Sequence, residues 1–273
     1  MIIVKLQGGL GNQMFQYAAG RAVSKRLNSE LLLDPKWFKE STNRSLWLSG
    51  LNIPQEIISA DPPKKIKLSH FQESAPGFDP TFLTLKDNFY LDGYFQSYKY
   101  FSDIEATIRK EFTLKDTSKE VIKNWERTIT GQTSVSLHIR RGDYLWKKHL
   151  SILGLLPLEY YENAIKEITG HLKTFKIFVF SDDIAWTKEN LKSATPVDFV
   201  SSAQLSPAEE TYLISRCEHH IIANSSFSWW GAWLSSNLNK IVIAPKPWMR
   251  DPKRIPKDLL LPEWHTVNVD FDA

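Results

Sequence analysis

Two periods govern the hydrophobic and polar positions of this chain. Strict alternation or a short unbroken apolar run marks a strand, and apolar residues recurring every three and four positions mark a helix. Ile2 to Leu6 is an apolar strand run, followed by the loop Gly8-Gly-Leu-Gly-Asn12. From Gln13 to Leu27, Phe15, Ala18, Ala19, Ala22, Val23 and Leu27 recur at helical spacing, with Arg21, Lys25 and Arg26 largely on the other side. Leu31 to Leu33 predicts a strand, Asn88 to Phe95 another, and helices are predicted over 97–112 and 118–128. Between Asp34 and Asp87 the pattern breaks into Pro-, Trp- and Ser-containing segments that predict short helices at most.

The second half is regular. Strands over 134–140, 176–180, 196–200, 219–223 and 241–244 alternate with helices over 157–169, 184–192, 207–216 and 228–238. Such alternation implies parallel crossover units, and hence an α/β, doubly wound architecture. A boundary near Gly131 gives two Rossmann-like units, residues 1–130 and 131–273, with nucleotide expected in the cleft between them.

Composition narrows the function. At 42% apolar and 24% charged over 273 residues the chain is ordinary globular protein, and disorder is excluded. Thirty-four basic residues against 31 acidic leave +3, too little for a nucleic-acid stripe, so an anionic small molecule is the better partner. The single Cys217 can form no internal disulfide, and no zinc-type Cys/His spacing occurs. The first residues read as a strand rather than a signal peptide, and no segment has membrane-span length, so a cytoplasmic location is expected. Ten Trp residues suit either sugar stacking or core.

Four motifs could carry chemistry. Gly9-Leu-Gly11 opens like a dinucleotide fingerprint, but Met14 stands where the third glycine belongs. The turn is either structural or a ligand loop whose helix start at Asn12 and Gln13 offers amides to an anion or sugar hydroxyl. In His138-Ile-Arg-Arg-Gly-Asp-Tyr144, strand alternation puts His138 and Arg140 on one face, and guanidinium fits phosphate oxygens in a bidentate fork. The bland readings are an Arg141–Asp143 surface pair and a structural His138.

Ile177-Phe-Val-Phe180 delivers Ser181, Asp182 and Asp183, which either read guanine or cap the next helix. Adjacent carboxylates make a poor metal site, and Asp270-Phe-Asp272, with better spacing, reads as a frayed tail. In Asn224-Ser-Ser-Phe-Ser-Trp-Trp-Gly-Ala-Trp233, a strand ends in a turn and a helix begins near Ser228, its N-terminus suited to phosphate. Ser226 and Ser228 can instead be caps, and Trp229, Trp230 and Trp233 core.

Together, Gly8-Gly-Leu-Gly-Asn-Gln13, His138-Ile-Arg-Arg-Gly-Asp-Tyr144, Phe180-Ser-Asp-Asp183 and Asn224 to Trp233 resemble the α-1,2-fucosyltransferase family, glycosyltransferase family 11, of the soluble bacterial type. The middle pair is shared with α-1,6- and protein O-fucosyltransferases; the Trp-Trp-Gly-Ala-Trp block is particular to the α-1,2 group. The resemblance implies a GT-B-like fold with two Rossmann-like domains facing a central cleft. It also implies GDP-β-L-fucose as donor, a galactose-terminated oligosaccharide acceptor, inversion, and neither metal nor cofactor.

By the same resemblance Arg140, with His138 and Arg141, holds the diphosphate; Asn224, Ser225, Ser226 and Phe227 bind phosphate; Asp182 or Asp183 reads guanine; and Asn12 and Gln13 line the sugar side. Asp143 is a candidate base, or else orients Arg141. A surface-polysaccharide product leaves room for peripheral membrane association through a lipid-linked acceptor. The competing expectations are a fucosyltransferase of another linkage and a non-catalytic nucleotide-sugar or glycan-binding protein. The region 34–87, with Trp37 and Trp47, is expected to shape the acceptor pocket.

Overall fold

The computed structural model describes residues 1–40, 44–54, 57 and 67–271. Parts of the segment 34–87 expected to shape an acceptor pocket therefore lie outside the described residues. The chain divides into two compact units, Met1–Lys115 with Pro256–Leu261, and Asp116–Ile255 with Pro262–Ala273.

Among the described residues of the first unit, four parallel strands, β1 (Ile2–Lys5), β2 (Leu31–Asp34), β3 (Ser69–Gln72) and β4 (Phe89–Asp92), stand in the order β2-β1-β4-β3. Central β1 pairs on both edges and is buried at Ile2, Ile3 and Val4, so its run is apolar rather than alternating. Helix α1 (Leu10–Leu27) buries Met14, Phe15, Ala18, Ala19 and Ala22. Its approach needs Gly20, where a Cβ would lie 2.2 Å from Val4 Cγ2. α1 starts earlier than its periodicity predicts, because the amides of Asn12 and Gln13 already donate to the Gly9 carbonyl within the glycine turn.

Two short helices follow, α2 (Trp37–Glu40) and α3 (Glu105–Glu111). The helix predicted over 97–112 survives only as α3. Its first part is a pair of 3-10 turns that put the consecutive Tyr100 and Phe101 both inside the core, which one regular helix face does not do.

The second unit opens with α4 (Glu120–Thr130), β5 (Ser134–Ile139), α5 (Lys147–Ile152), α6 (Leu158–Thr169), β6 (Lys176–Ser181) and α7 (Ile184–Asn190). It continues with β7 (Val197–Phe199), α8 (Pro207–Arg216), β8 (His219–Ile221), α9 (Ser226–Leu234), β9 (Val242–Lys246) and β10 (His265–Asn268). All six strands are parallel, in the order β10-β9-β8-β5-β6-β7. The chain works outward from β5 to β7, then crosses to β8 and works outward to β10. The topological switch point therefore lies between β5 and β8, where open α/β sheets bind ligands beyond their strand ends.

On one face Val135, Leu137 and Ile139 pack with Tyr160, Tyr161, Ala164 and Ile168 of α6. The opposite face carries buried Ser136, whose Oγ lies 2.8 Å from His220 Nδ1, and His138.

The division falls at Lys115 rather than the expected 130/131. α4 packs on α8, with Tyr212 donating to Glu126 Oε1 at 2.6 Å and Arg216 Nε 2.9 Å from the same oxygen. β10 was absent from the sequence pattern; it pairs with β9, and Phe271 just beyond it packs partly buried against the core. The frayed-tail expectation thus fails at Phe271, while Asp272 lies outside the described residues.

Candidate functional site

Strand β5 ends at the switch point, so the residues after it emerge there. Arg140, its side chain 17% exposed, pairs with Asp143 through Nη2 and lies 2.9 Å from Asp182 Oδ2 through Nη1. Its guanidinium sits 5.2 Å from the centre of the Tyr144 ring. Burial opposes the charge, but Asp182, Tyr144 and Asp143 outweigh it and hold the guanidinium above its ordinary pKa. Nε of Arg140 is buried with no hydrogen-bond partner.

Alternation sends Arg141 the other way. Its Nε lies 3.3 Å from Asp183 Oδ2, its guanidinium stacks 3.4 Å over Trp186 of α7, and its amide donates to Asp182 Oδ1 at 2.8 Å. Where the alternative reading paired Arg141 with Asp143, the structure pairs Asp143 with Arg140 and Arg141 with Asp183. The glycine between Arg141 and Asp143 has a steric role: a Cβ on Gly142 would lie 2.3 Å from Asp182 Oδ2.

The acidic pair divides its work. Asp183 caps α7, accepting from the Trp186 amide at 3.2 Å, as the capping alternative anticipated. Asp182 belongs to the arginine cluster.

His138 lies with its ring 5.3 Å from that of Phe227 in the first turn of α9. Burial, reinforced by Arg140, pushes its pKa down to about 3, and its Nδ1 has no partner. It is a neutral imidazole at physiological pH.

At the next strand end, Asn224 donates through Nδ2 to the carbonyls of Leu153 and Gly154 at 3.0 and 3.2 Å, and its own carbonyl accepts from the Tyr144 hydroxyl at 2.8 Å. α9 starts at Ser226, earlier than predicted, because Ser225 is the cap, accepting from the Phe227 amide at 3.3 Å. Ser228 turns inward to the carbonyls of Ala223 and Ser225. Trp229, Trp230 and Trp233 are buried core.

Three buried atoms, His138 Nδ1, Arg140 Nε and Asn224 Oδ1, thus lack partners around one switch point. Buried polar groups are normally satisfied, so these three atoms mark the switch point as a candidate ligand site.

Sequence reading missed Glu210 on α8. It receives a hydrogen bond from Ser201, whose Oγ also accepts from the Ser181 amide at the end of β6. Burial pushes its carboxyl up to about 7; the Ser201 bond opposes that, and Asp182 adds to it. Nothing local marks it, since it reaches the cluster through a serine from another loop.

In the first unit, Gln13 donates to the carbonyls of Gly8 and Ser45 and accepts from the Trp47 amide, all at 2.9–3.0 Å, so its side chain is occupied in holding the turn. Asn12 accepts from Gln96 at 2.9 Å.

Among the described residues one trio could ligate a metal. Glu167 Oε1 lies 3.5 Å from His171 Nε2 and 3.8 Å from His265 Nδ1. Glu167 lies in the last turn of α6, His171 just beyond that helix and His265 at the start of β10, the opposite end of the sheet from Arg140. No helix among the described residues is long and apolar enough to cross a membrane.

The chain resembles known proteins over nearly its whole length. It is 34% identical to an α-1,2-colitosyltransferase of Escherichia coli, over 91% of this chain and 92% of the relative. It is 31% identical to the O-antigen biosynthesis glycosyltransferase WbnK of Escherichia coli, over 89% and 93%. It is 26% identical to the mouse galactoside 2-α-L-fucosyltransferase Sec1, over 99% and 75%. The fold matches fucosyltransferase NodZ from Bradyrhizobium with a TM-score of 0.55 at 15% identity, covering 84% of this chain and 91% of that one. The fold is thus that of GT-B-type fucosyltransferases, as the resemblance implied. The family model for glycosyl transferase family 11 matches residues 1–268, and with the Rossmann-like switch point that its motifs build, this chain belongs to that family.

Proposed function

We propose that the protein moves L-fucose from GDP-β-L-fucose to the 2-hydroxyl of a terminal galactoside, with inversion, in the assembly of a surface polysaccharide or O-antigen. Arg140 carries the reading: a buried guanidinium held between two carboxylates at the switch point, its Nε–H still unspent. The α-1,2 relatives support the linkage, and the O-antigen relative supports the product class.

In this reading the acceptor O2 attacks C1 of fucose as the bond from C1 to the β-phosphate oxygen breaks; GDP leaves with the electron pair, and its freed β-phosphate oxygen takes the proton of the acceptor hydroxyl. Asp143, Asp182 and Asp183 outnumber Arg140 and Arg141, so attraction for the diphosphate comes from aimed donors rather than summed charge. Those donors are Arg140 Nε–H and the N-terminal turn of α9, with the helix dipole behind it. They neutralise the leaving group without a metal. His138, neutral down to about pH 3, is too weak a base to take the acceptor proton and serves as a hydrogen-bonding group to the donor. Asp143, already ion-paired, orients Arg140. Asp182, 26% exposed, offers its remaining edge to guanine.

A second reading keeps the site and changes the sugar. Colitose is fucose without its 3-hydroxyl, and the colitosyltransferase shares more identity with this chain than the mouse fucosyltransferase does.

Incubation of the purified protein with GDP-fucose or GDP-colitose and lactose, with and without EDTA, tests both. The expected product is α-1,2-fucosyl-lactose at a rate unchanged by EDTA, with GDP release matching it. A tenfold preference for GDP-colitose would establish the second reading. Loss of activity in EDTA would refute metal independence, a different linkage would reassign the acceptor atom, and donor binding without turnover would make the protein a binding module.

A further inference from the structure

Among the ten Trp residues Trp146 is the most exposed, at 52%. Nothing in the core explains it: α5, which it precedes, contributes no buried residue, and Leu145 and Leu150 beside it are 47% and 36% exposed. The ring is nevertheless fixed. It stacks on His149 with centroids 5.4 Å apart and planes 23° from parallel. Its amide donates to the Asp143 carbonyl at 3.2 Å, and its carbonyl accepts from the Leu150 amide at 2.8 Å.

His149 ties the pair to the arginine cluster. Its Nδ1 lies 2.9 Å from the Asp143 carbonyl and 3.6 Å from the Asp143 carboxylate. A carbonyl only accepts, so Nδ1 carries a proton and Nε2 remains as a further hydrogen-bonding atom. The segment's far end is also anchored, since the Leu153 carbonyl accepts from Asn224 Nδ2 and from the Arg250 amide. An ordered aromatic surface with a hydrogen-bonding edge is thus suspended from the two residues, Asp143 and Asn224, that frame the switch point.

We propose that Trp146 and His149 form the platform on which the acceptor galactopyranoside rests. Galactose presents C3–H, C4–H and C5–H on one face, an apolar patch that packs on an indole, while its hydroxyls reach the imidazole edge. An acceptor must bring its hydroxyl within about 3–3.5 Å of the sugar carbon that the diphosphate leaves. A platform hung on the partner of Arg140 serves that requirement. The proposal rests on the fucosyl-transfer reading above and adds where the acceptor binds.

The test is a titration of lactose into protein saturated with GDP, followed by saturation-transfer NMR, for the wild type, Trp146→Ala and Trp146→Phe. Separate calorimetry gives the affinity for GDP. Loss of the stacking contact should weaken lactose binding about five- to tenfold in Trp146→Ala. GDP affinity should stay within twofold, Trp146→Phe should restore most of the loss, and in turnover the acceptor KM should rise with kcat held. Lactose affinity within twofold of wild type in Trp146→Ala, or no lactose binding by the wild type, would overturn the platform. If Trp146→Ala keeps lactose but loses binding to vesicles of phosphatidylglycerol and phosphatidylethanolamine, the patch is a membrane surface with Lys147 and Lys148, and the platform is wrong. The titration uses no fucosyl donor, so failure of GDP-fucose turnover would strike the functional reading alone.

Discussion

Gly142→Ala would put a methyl group 2.3 Å from Oδ2 of Asp182 and 3.1 Å from its Cγ. The backbone there is pinned by the bond from the Tyr144 amide to the Arg141 carbonyl at 2.7 Å, so the carboxylate yields. It gives up Arg140 Nη1 at 2.9 Å and the Arg141 amide at 2.8 Å. Hydrogen bonds to a charged group contribute about 1.5–3 kcal/mol each. The side chains are 17% and 26% exposed, so solvent recovers part, leaving a net cost of about 2 kcal/mol. Asp182→Ala removes the same two bonds, and its cost should be similar. In the double variant no carboxylate remains to evict, so the cost should equal that of Asp182→Ala alone, a coupling of about 2 kcal/mol. Urea unfolding of the four proteins, at constant m-value, measures it. Additive costs, or Gly142→Ala within about 0.5 kcal/mol of wild type, would refute the packing argument.

Arg140→Lys keeps a charge but cannot span Asp143 and Asp182 while offering a third donor, so kcat for transfer should fall about 100- to 1,000-fold with the protein folded, checked by GDP release and circular dichroism. His138 has its pKa lowered to about 3 from an ordinary 6.5, so its contribution is complete above pH 6.5 and lost as pH falls toward 3. His138→Gln should therefore remove about 3 kcal/mol of the acid destabilisation between pH 7 and pH 4, read from unfolding free energies at those two values. Glu210 has the opposite sign. Its carboxyl, raised to about 7, contributes stability present below the unfolded pKa near 4.5 and lost as pH rises through 7. Glu210→Gln should gain about 1–3 kcal/mol on wild type between pH 5 and pH 8; unchanged pH dependence would show the carboxyl to be solvated.

Local regularity explains what could be read ahead of the fold. β5 alternates because it is central and its faces meet different neighbours, so Val135, Leu137 and Ile139 separate from Ser136 and His138 in the sequence as they do in space. Apart from the short α5, the strands and helices of 131–246 followed from that periodicity, and so did the arrival of His138 and Arg140 at a strand end. The segment 34–87 was unreadable because its described residues include short pieces such as α2 and β3, too brief to establish a period. β10 was missed because only one of its four residues, Val267, is even partly buried, leaving no apolar signature.

Periodicity and motif chemistry, both short-range properties, were therefore enough for the α/β class, the strand–helix alternation of the second unit, and the residues delivered to its strand ends. Pairing among those residues was beyond them. That Asp143 turns to Arg140, that Arg141 lies on Trp186, that Ser225 rather than Ser226 or Ser228 caps α9, and that Glu210 reaches the end of β6 through Ser201 depend on distances of a few ångströms between separate strand ends. Those distances come from sheet order: β5 stands between β6 and β8, segments 42 and 85 positions along from its first residue, so their loops converge only when the sheet assembles.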